Sequence, residues 1–258
     1  MAETVLYEKH GKIVTITLNR PAALNSINRQ LRRELGEAIQ QFDGEEDSYV
    51  AIITGAGRAF CAGRDLKERA ADNEAGVQAK ASDSMSQDRP FMWPNTWKPT
   101  IAAINGFALA GGWSIAQMCD LRVASEDAQL GITETKWSLL PPFGTTLPKS
   151  LSMSAVLELV FTAQPVSAQR AYDMGFLNRV VAPDQVMPEA MRFAEQIAEN
   201  APLAVQYFKE LAYRGQNMTT EDVCQMTYAM YDKLLATEDS KEGPRAFAEK
   251  RKPQWQGR

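Results

Sequence analysis

Twice in this chain a short run of apolar and β-branched residues ends at a glycine and gives way to a helical pattern that opens on further small residues. Residues 49–54 stop at Gly55 and lead to Ala62-Gly63-Arg64-Asp65, and residues 100–104 stop at Gly106 and lead to Ala110-Gly111-Gly112. Runs of this kind fit short strands buried in a sheet, and strands interleaved with helices predict an α/β chain.

The rest of the sequence agrees with that class. Residues 4–8 and 12–18 alternate and are rich in Val, Ile and Thr, so they predict a hairpin with His10-Gly11 as its turn. Ile27, Leu31, Leu35, Ile39 and Phe42 recur at helical spacing, with Asn28 placed to cap the start and Gly44 to end the pattern. Residues 121–124 predict another strand. Residues 69–89 are rich in Ala, Asp, Ser and Gln and predict a loop or loosely held helix. From residue 152 onward helical patterns dominate, over 152–162, 167–174, 188–200, 202–214 and 220–235, with one strand at 178–181. No internal repeat is present. The expected organisation is a core over residues 1–195 and a helical region over 196–258 that packs on the core or on a neighbouring subunit.

Charge and composition narrow the chemistry. A net charge of −4 provides no footprint for a nucleic acid, so an anionic ligand has to be held by local cations. The three cysteines, Cys61, Cys119 and Cys224, form no C-x-x-C pair, and the single histidine, His10, lies near the N-terminus. Neither a disulfide framework, a metal centre nor a histidine-based nucleophile site is therefore expected. The N-terminus has no basic segment followed by a long apolar stretch, and no membrane-spanning run is present, so a cytoplasmic protein is expected.

The segment 54–66 (T-G-A-G-R-A-F-C-A-G-R-D-L) is not a dinucleotide fingerprint, because Phe60 stands where the third glycine would be, and no G-K-[ST] follows. Its remaining feature is an unpaired N–H at Arg64, read as belonging to a helix start. A second turn, Asn105 to Ser114, lets a ligand approach the backbone at Gly111. Two such N–H groups are what an oxyanion hole requires; close helix-on-sheet packing would need the same glycines.

Five segments carry a resemblance: R-P-x-x-x-N-S from Arg20, F-C-A-G-R-D-L-K-E from Phe60, P-T-I-A-A-I-N-G-F-A-L-A-G-G from Pro99, C-D-L-R-V-A-S from Cys119 and F-A-E-K-R-K-P from Phe247. In order and spacing they resemble the enoyl-CoA hydratase/isomerase (crotonase) family across nearly the whole chain. The resemblance implies the ClpP/crotonase-like fold, a spiral of ββα units with a C-terminal helical trimerisation region, assembled as a homo-trimer or hexamer. It implies an acyl-CoA substrate, with coenzyme A part of the substrate and no separate cofactor. Carried over by position, Arg64 and Gly111 would supply the oxyanion N–H groups, and the backbone around Arg64 to Lys67, with Asp65, Leu66 and Lys67 as substrate-binding residues, would line the CoA groove. Phe247 and Lys250 would lie near the CoA nucleotide, unless that basic run is simply solvated.

Hydratases of this family generally present two glutamates. Here Ser114 stands in the first place and Glu134 in the second. One carboxylate suits a shift of a double bond, with Ser114 left to position a water if hydration occurs. Ser114, Glu134 and Trp137 also resemble hydroxycinnamoyl-CoA hydratase-lyases, with Tyr228 and Tyr231 as contacts for a phenolic end; Trp137 would otherwise be a core aromatic. Arg64 departs from that pattern, where an apolar residue is expected. Trp93 and Trp97 would line an aromatic acyl pocket or anchor the chain before Thr100. A catalytically silent acyl-CoA-binding assembly protein, an RNA-binding relative and a Clp-type peptidase using Ser114 are the alternatives from other classes.

Overall fold

The computed structural model describes residues 3–77 and 95–258. β1 (Val5–His10) and β2 (Ile13–Leu18) form the expected antiparallel hairpin, except that His10 belongs to the strand, paired with Ile13, and the turn is Gly11-Lys12, with Gly11 at φ 62°. α1 (Arg29–Gly44) follows, its N-terminus capped by Asn28 Oδ1, which accepts the Leu31 N–H at 2.9 Å. Leu31, Leu35, Ile39 and Phe42 are buried on one face of that helix, as their spacing requires, whereas Ile27 lies just ahead of it.

The chain then winds in repeated turns. β3 (Val50–Gly55), β4 (Ala59–Cys61) and α2 (Leu66–Glu74) make the first; β5 (Thr100–Ile104), β6 (Phe107–Leu109) and α3 (Gly111–Met118) make the second. β7 (Leu121–Ser125) and β8 (Gln129–Gly131) begin a third, continued through two 3-10 segments, Glu134–Trp137 and Pro142–Lys149, into α4 (Met153–Thr162). After β9 (Val166–Ser167) and α5 (Ala168–Asp173), β10 (Arg179–Val181) rejoins the first sheet. The larger sheet runs β1-β2-β3-β5-β7-β10, parallel from β2 onward, and the smaller runs β4-β6-β8-β9. Each turn of the spiral thus lays one strand in each sheet before a helix. The smaller sheet escaped the sequence reading because its strands are two or three residues long, too short to show a period.

The larger sheet is buried on both faces. Ala51, Ile53, Ala102 and Ile104 face one core with α1, α3 and the second sheet, while Val50, Ile52, Ile101 and Ala103 face another. α6 (Val186–Ala198) fills that second core with Val186, Ala190 and Ala194. Residue 195, expected to end the core region, therefore lies within a core helix.

Three helices complete the chain: α7 (Pro202–Gly215), α8 (Thr220–Leu235) and α9 (Glu238–Ala248). α7 is fastened through polar groups, since Lys209 Nζ lies 2.6 Å from Asp120 Oδ2 and donates to Lys98 O at 2.8 Å, and Tyr213 OH donates to Asp120 at 3.1 Å. α9 was not expected, because Gly243-Pro244 within it reads as a breaker; Thr237 caps its start and the Trp255 ring packs 3.4 Å from the place a Gly243 Cβ would take. The loop expected over 69–89 lies partly outside the described residues, as do Phe91, Met92 and Trp93, while its first part, to Glu74, is α2.

Candidate active site

The two glycine turns stand back to back. Gly63 has φ 91°, and a Cβ on it would lie 2.7 Å from Ala110 Cβ and 3.2 Å from Gly111 N. A Cβ on Gly111 would lie 2.9 Å from Ile27 Cδ1 and 3.7 Å from Arg64 N. Only residues without side chains permit this approach.

Backbone pairing aims the first N–H. Ile27 N–H donates to Gly63 O at 2.7 Å and Asp65 N–H donates to Ile27 O at 3.0 Å, forming a parallel bridge between Ile27 and Arg64. In such a bridge the flanking residues make the bonds, so the N–H of Arg64 points to the opposite side, away from Ile27. This corrects the expectation that Arg64 opens a helix. α2 begins at Leu66 and its cap is Asp65, whose Oδ1 accepts the Lys67 and Glu68 N–H groups at 3.2 and 3.4 Å. Asp65 Oδ2 accepts from Arg20 Nη2 at 3.0 Å and from Ser26 Oγ at 3.4 Å. Both carboxylate oxygens are thus engaged within the protein, which leaves its backbone, not its side chain, to line a groove. Leu66 and Lys67 are exposed beside it.

Strain and a helix start aim the second. Ala110, at φ 52° and ψ −119°, precedes α3 and holds a conformation that costs an L-residue about 1–3 kcal/mol. Its N–H donates to Gly131 O at 2.8 Å, and its carbonyl accepts the Ser114 N–H at 3.1 Å. The next N–H, that of Gly111, is the first of the helix, has no intrahelical acceptor and lies at the positive end of the helix dipole.

The same anchor brings in the carboxyl group. Leu109 pairs with Gly131 in the smaller sheet, and Glu134 follows three residues later at the head of a 3-10 turn. Glu134 Oε2 is buried and meets no hydrogen-bond partner among the described residues. Burial raises the pKa of this carboxyl to about 7, so it exists in both protonation states at neutral pH. Ser114, half-buried, stands one turn into α3 from Gly111.

The remaining expected residues lie elsewhere. Trp137 is 61% exposed one turn after Glu134, so it is not a core aromatic. Trp97 lines a separate cleft of about 630 Å³ at the far end of α3, with Gln117, Arg122, Lys149, Phe176 and Tyr213, and none of Arg64, Gly111, Ser114 or Glu134 lines it. Phe247 is 88% exposed near the end of α9, and Lys250, at φ 53°, closes that helix. Tyr228 and Tyr231 are exposed on α8.

Two supports were missed in the sequence. Ala110 gives no signal there, since nothing local marks an alanine as strained. Asn25, fully buried at φ 54°, donates to Ala56 O and Ala59 O at 3.0 and 2.7 Å and accepts the Arg20 N–H at 2.8 Å, tying the first loop to β4. Its motif was visible, but the two carbonyls to which it donates lie 31 and 34 residues away.

The family model described as Enoyl-CoA hydratase/isomerase matches residues 8–258. This chain is a member of the enoyl-CoA hydratase/isomerase family. It is therefore a crotonase-fold enzyme with hydratase/isomerase-like activity on an acyl-CoA. It is 36% identical to Enoyl-CoA hydratase EchA19 of Mycobacterium tuberculosis, over 98% of this chain and 96% of that protein. It is also 36% identical to (E)-benzylidenesuccinyl-CoA hydratase of Thauera aromatica, over 98% of this chain and 99% of that protein. The crystal structure of an enoyl-CoA hydratase from Mycobacterium tuberculosis H37Rv superposes with a TM-score of 0.90 at 34% identity, covering 100% of both chains. Among the described residues, no helix of this crotonase-family protein is long and apolar enough to cross a membrane.

Proposed function

We propose that the enzyme polarises the thioester carbonyl of an enoyl-CoA between the N–H groups of Arg64 and Gly111 and moves a proton with Glu134 alone. The buried carboxyl of Glu134, tied through Gly131 to the oxyanion turn, carries the reading. Each fixed donor opposite a developing oxyanion contributes about 3–4 kcal/mol to its stabilisation, so the thioester serves as the electron sink and no cofactor enters. With one carboxylate, removal of a proton at one carbon and its return at another shifts the double bond. Addition of water needs a second holder, the place left to Ser114.

The test is turnover in ¹⁸O-labelled water of 2-enoyl, 3-enoyl and hydroxycinnamoyl CoA thioesters, followed by mass spectrometry. Unlabelled isomer from the 3-enoyl substrate supports the single-base reading, and labelled hydroxyacyl product would establish hydration with one glutamate. A labelled aldehyde with acetyl-CoA would identify the hydratase-lyase reaction, a reading favoured by Trp137 standing exposed beside Glu134. Acyl-CoA binding without turnover would indicate a silent binding protein.

The exposed Tyr228, Tyr231 and Leu235 of α8, a helix with no buried residue, support a role for the C-terminal helices in a trimer or hexamer. In such an assembly Phe247 and Lys250 contact the CoA nucleotide. Sedimentation of the full chain tests the assembly, and a sedimenting monomer would refute it.

A further inference from the structure

Four arginines, Arg29, Arg32, Arg64 and Arg69, lie on or immediately beside α1 and α2. The Arg29 N–H donates to the two oxygens of Glu68 at 3.2 and 3.1 Å, and its guanidinium pairs with Asp72. These bonds lay the first turn of α1 against α2. Arg32 lies three residues beyond Arg29, and Arg69 three residues before Asp72, so both follow the seam at helical spacing. The backbone of Arg64 is bridged to Ile27, immediately ahead of α1.

Arg64 itself is half-buried, and its guanidinium has no hydrogen bond or ion pair to a described residue. Burial pulls its pKa below the usual value first, and the positive charges of Arg69 and Arg32 add to that, against weaker opposition from Asp72 and Glu68. Those two acids are already committed to Arg29. A partly desolvated cation beside two others is an unfavourable arrangement that an incoming anion relieves. Bidentate binding of a carboxylate or phosphate is what a guanidinium does best.

The location selects the anion. The backbone N–H of Arg64 is the proposed donor to the thioester oxygen, so its side chain starts at the reacting end of the ligand. The phosphates of CoA lie beyond the pantetheine arm. We infer that Arg64, backed by Arg69 and Arg32, is a specificity-determining residue for an anionic oxygen group, and that this group is a carboxylate on the acyl chain. The inference rests on the oxyanion reading of the Arg64 N–H.

Calorimetric binding of two saturated CoA thioesters of equal chain length tests it, one ending in a carboxylate and the other in its methyl ester, together with the matching pantetheine thioesters. The wild-type protein should bind the carboxylate at least about ten-fold more tightly in both series, and Arg64→Met, which keeps the N–H, should bring that ratio to about one. Arg69→Met, away from the turn, should give an intermediate ratio, so the test survives misfolding of the first variant. Equal wild-type affinity for the two esters would overturn the inference. So would an Arg64→Met effect confined to the CoA series and blind to the acyl charge, because the cation would then be reading a phosphate. Binding of unreactive esters does not need Glu134, so a failure of the proposed reaction would show only in the turnover assays.

Discussion

Replacing Glu134 by glutamine should change activity and stability in opposite directions. Burial raises its pKa from 4.5 to about 7, a gap equivalent to about 3 kcal/mol at 1.36 kcal/mol per unit. Because the folded value is the higher one, the native state favours the protonated acid. Its contribution is fully present below pH 4.5, is lost as pH rises through about 7, and leaves the ionised wild-type protein penalised above that. Glutamine does not ionise. The stability of Glu134→Gln relative to wild type should therefore grow by about 2 kcal/mol between about pH 5.5 and pH 8, measured by urea denaturation of both proteins at each pH. Activity runs the other way. If ionised Glu134 takes the proton, wild-type kcat/KM should rise through about pH 7, and Glu134→Gln should lose a factor of about 10² to 10⁴. A stability difference independent of pH, together with a kcat/KM profile that turns near the ordinary carboxylate value, would refute the argument that burial sets this group's chemistry.

Three further outcomes follow from the geometry. Gly112→Ala should abolish soluble folded protein, because its Cβ would fall 2.0 Å from the Cys61 carbonyl oxygen in the rigid β4, whereas Gly111→Val meets first the flexible end of Ile27 and should fold. Circular dichroism and kcat should separate them, with Gly111→Val losing about 10²- to 10³-fold in turnover as its side chain crowds Arg64 N. Asp120→Asn removes the anion paired with buried Lys209 and should cost roughly 3 kcal/mol, seen as faster hydrogen exchange in α7 than in β3; unchanged exchange would show that the pair does not hold that helix. Asp65→Ala removes both the α2 cap and the partner of Arg20, so kcat should fall more than KM rises; a rise in KM alone would mean that Asp65 serves binding and not the aim of the Arg64 N–H.

The elements easiest to read in the chain were those with enough length to show a period. α1 announced its buried face and its Asn28 cap, and β3 and β5 stood out as apolar runs between glycines. The smaller sheet did not, since three residues cannot display alternation, and α9 was hidden by Gly243-Pro244, which only its Thr237 cap and the packing of Trp255 offset. For Arg64 the local cause was misread, because α2 starts only at Leu66. Its N–H was expected to be free as part of a helix start, whereas it is aimed by the bridge from Ile27.

What the amino-acid sequence determined by itself was the inventory: glycines where two backbones must nearly touch, one glutamate in place of two, an arginine after Gly63, and no second histidine or thiol pair to support other chemistry. These are local properties of side chains and of backbone freedom, so they can be read one residue at a time. What only the tertiary structure decided was coincidence in space. The approach of Gly111 to Arg64 N, the strain at Ala110, the burial that lifts Glu134 to about 7 and the seam in which Arg29 binds Glu68 and Asp72 each join segments far apart in the chain. Desolvation and contact depend on what surrounds a group after folding, and the parallel pairing of short strands across crossovers is what sets those surroundings here.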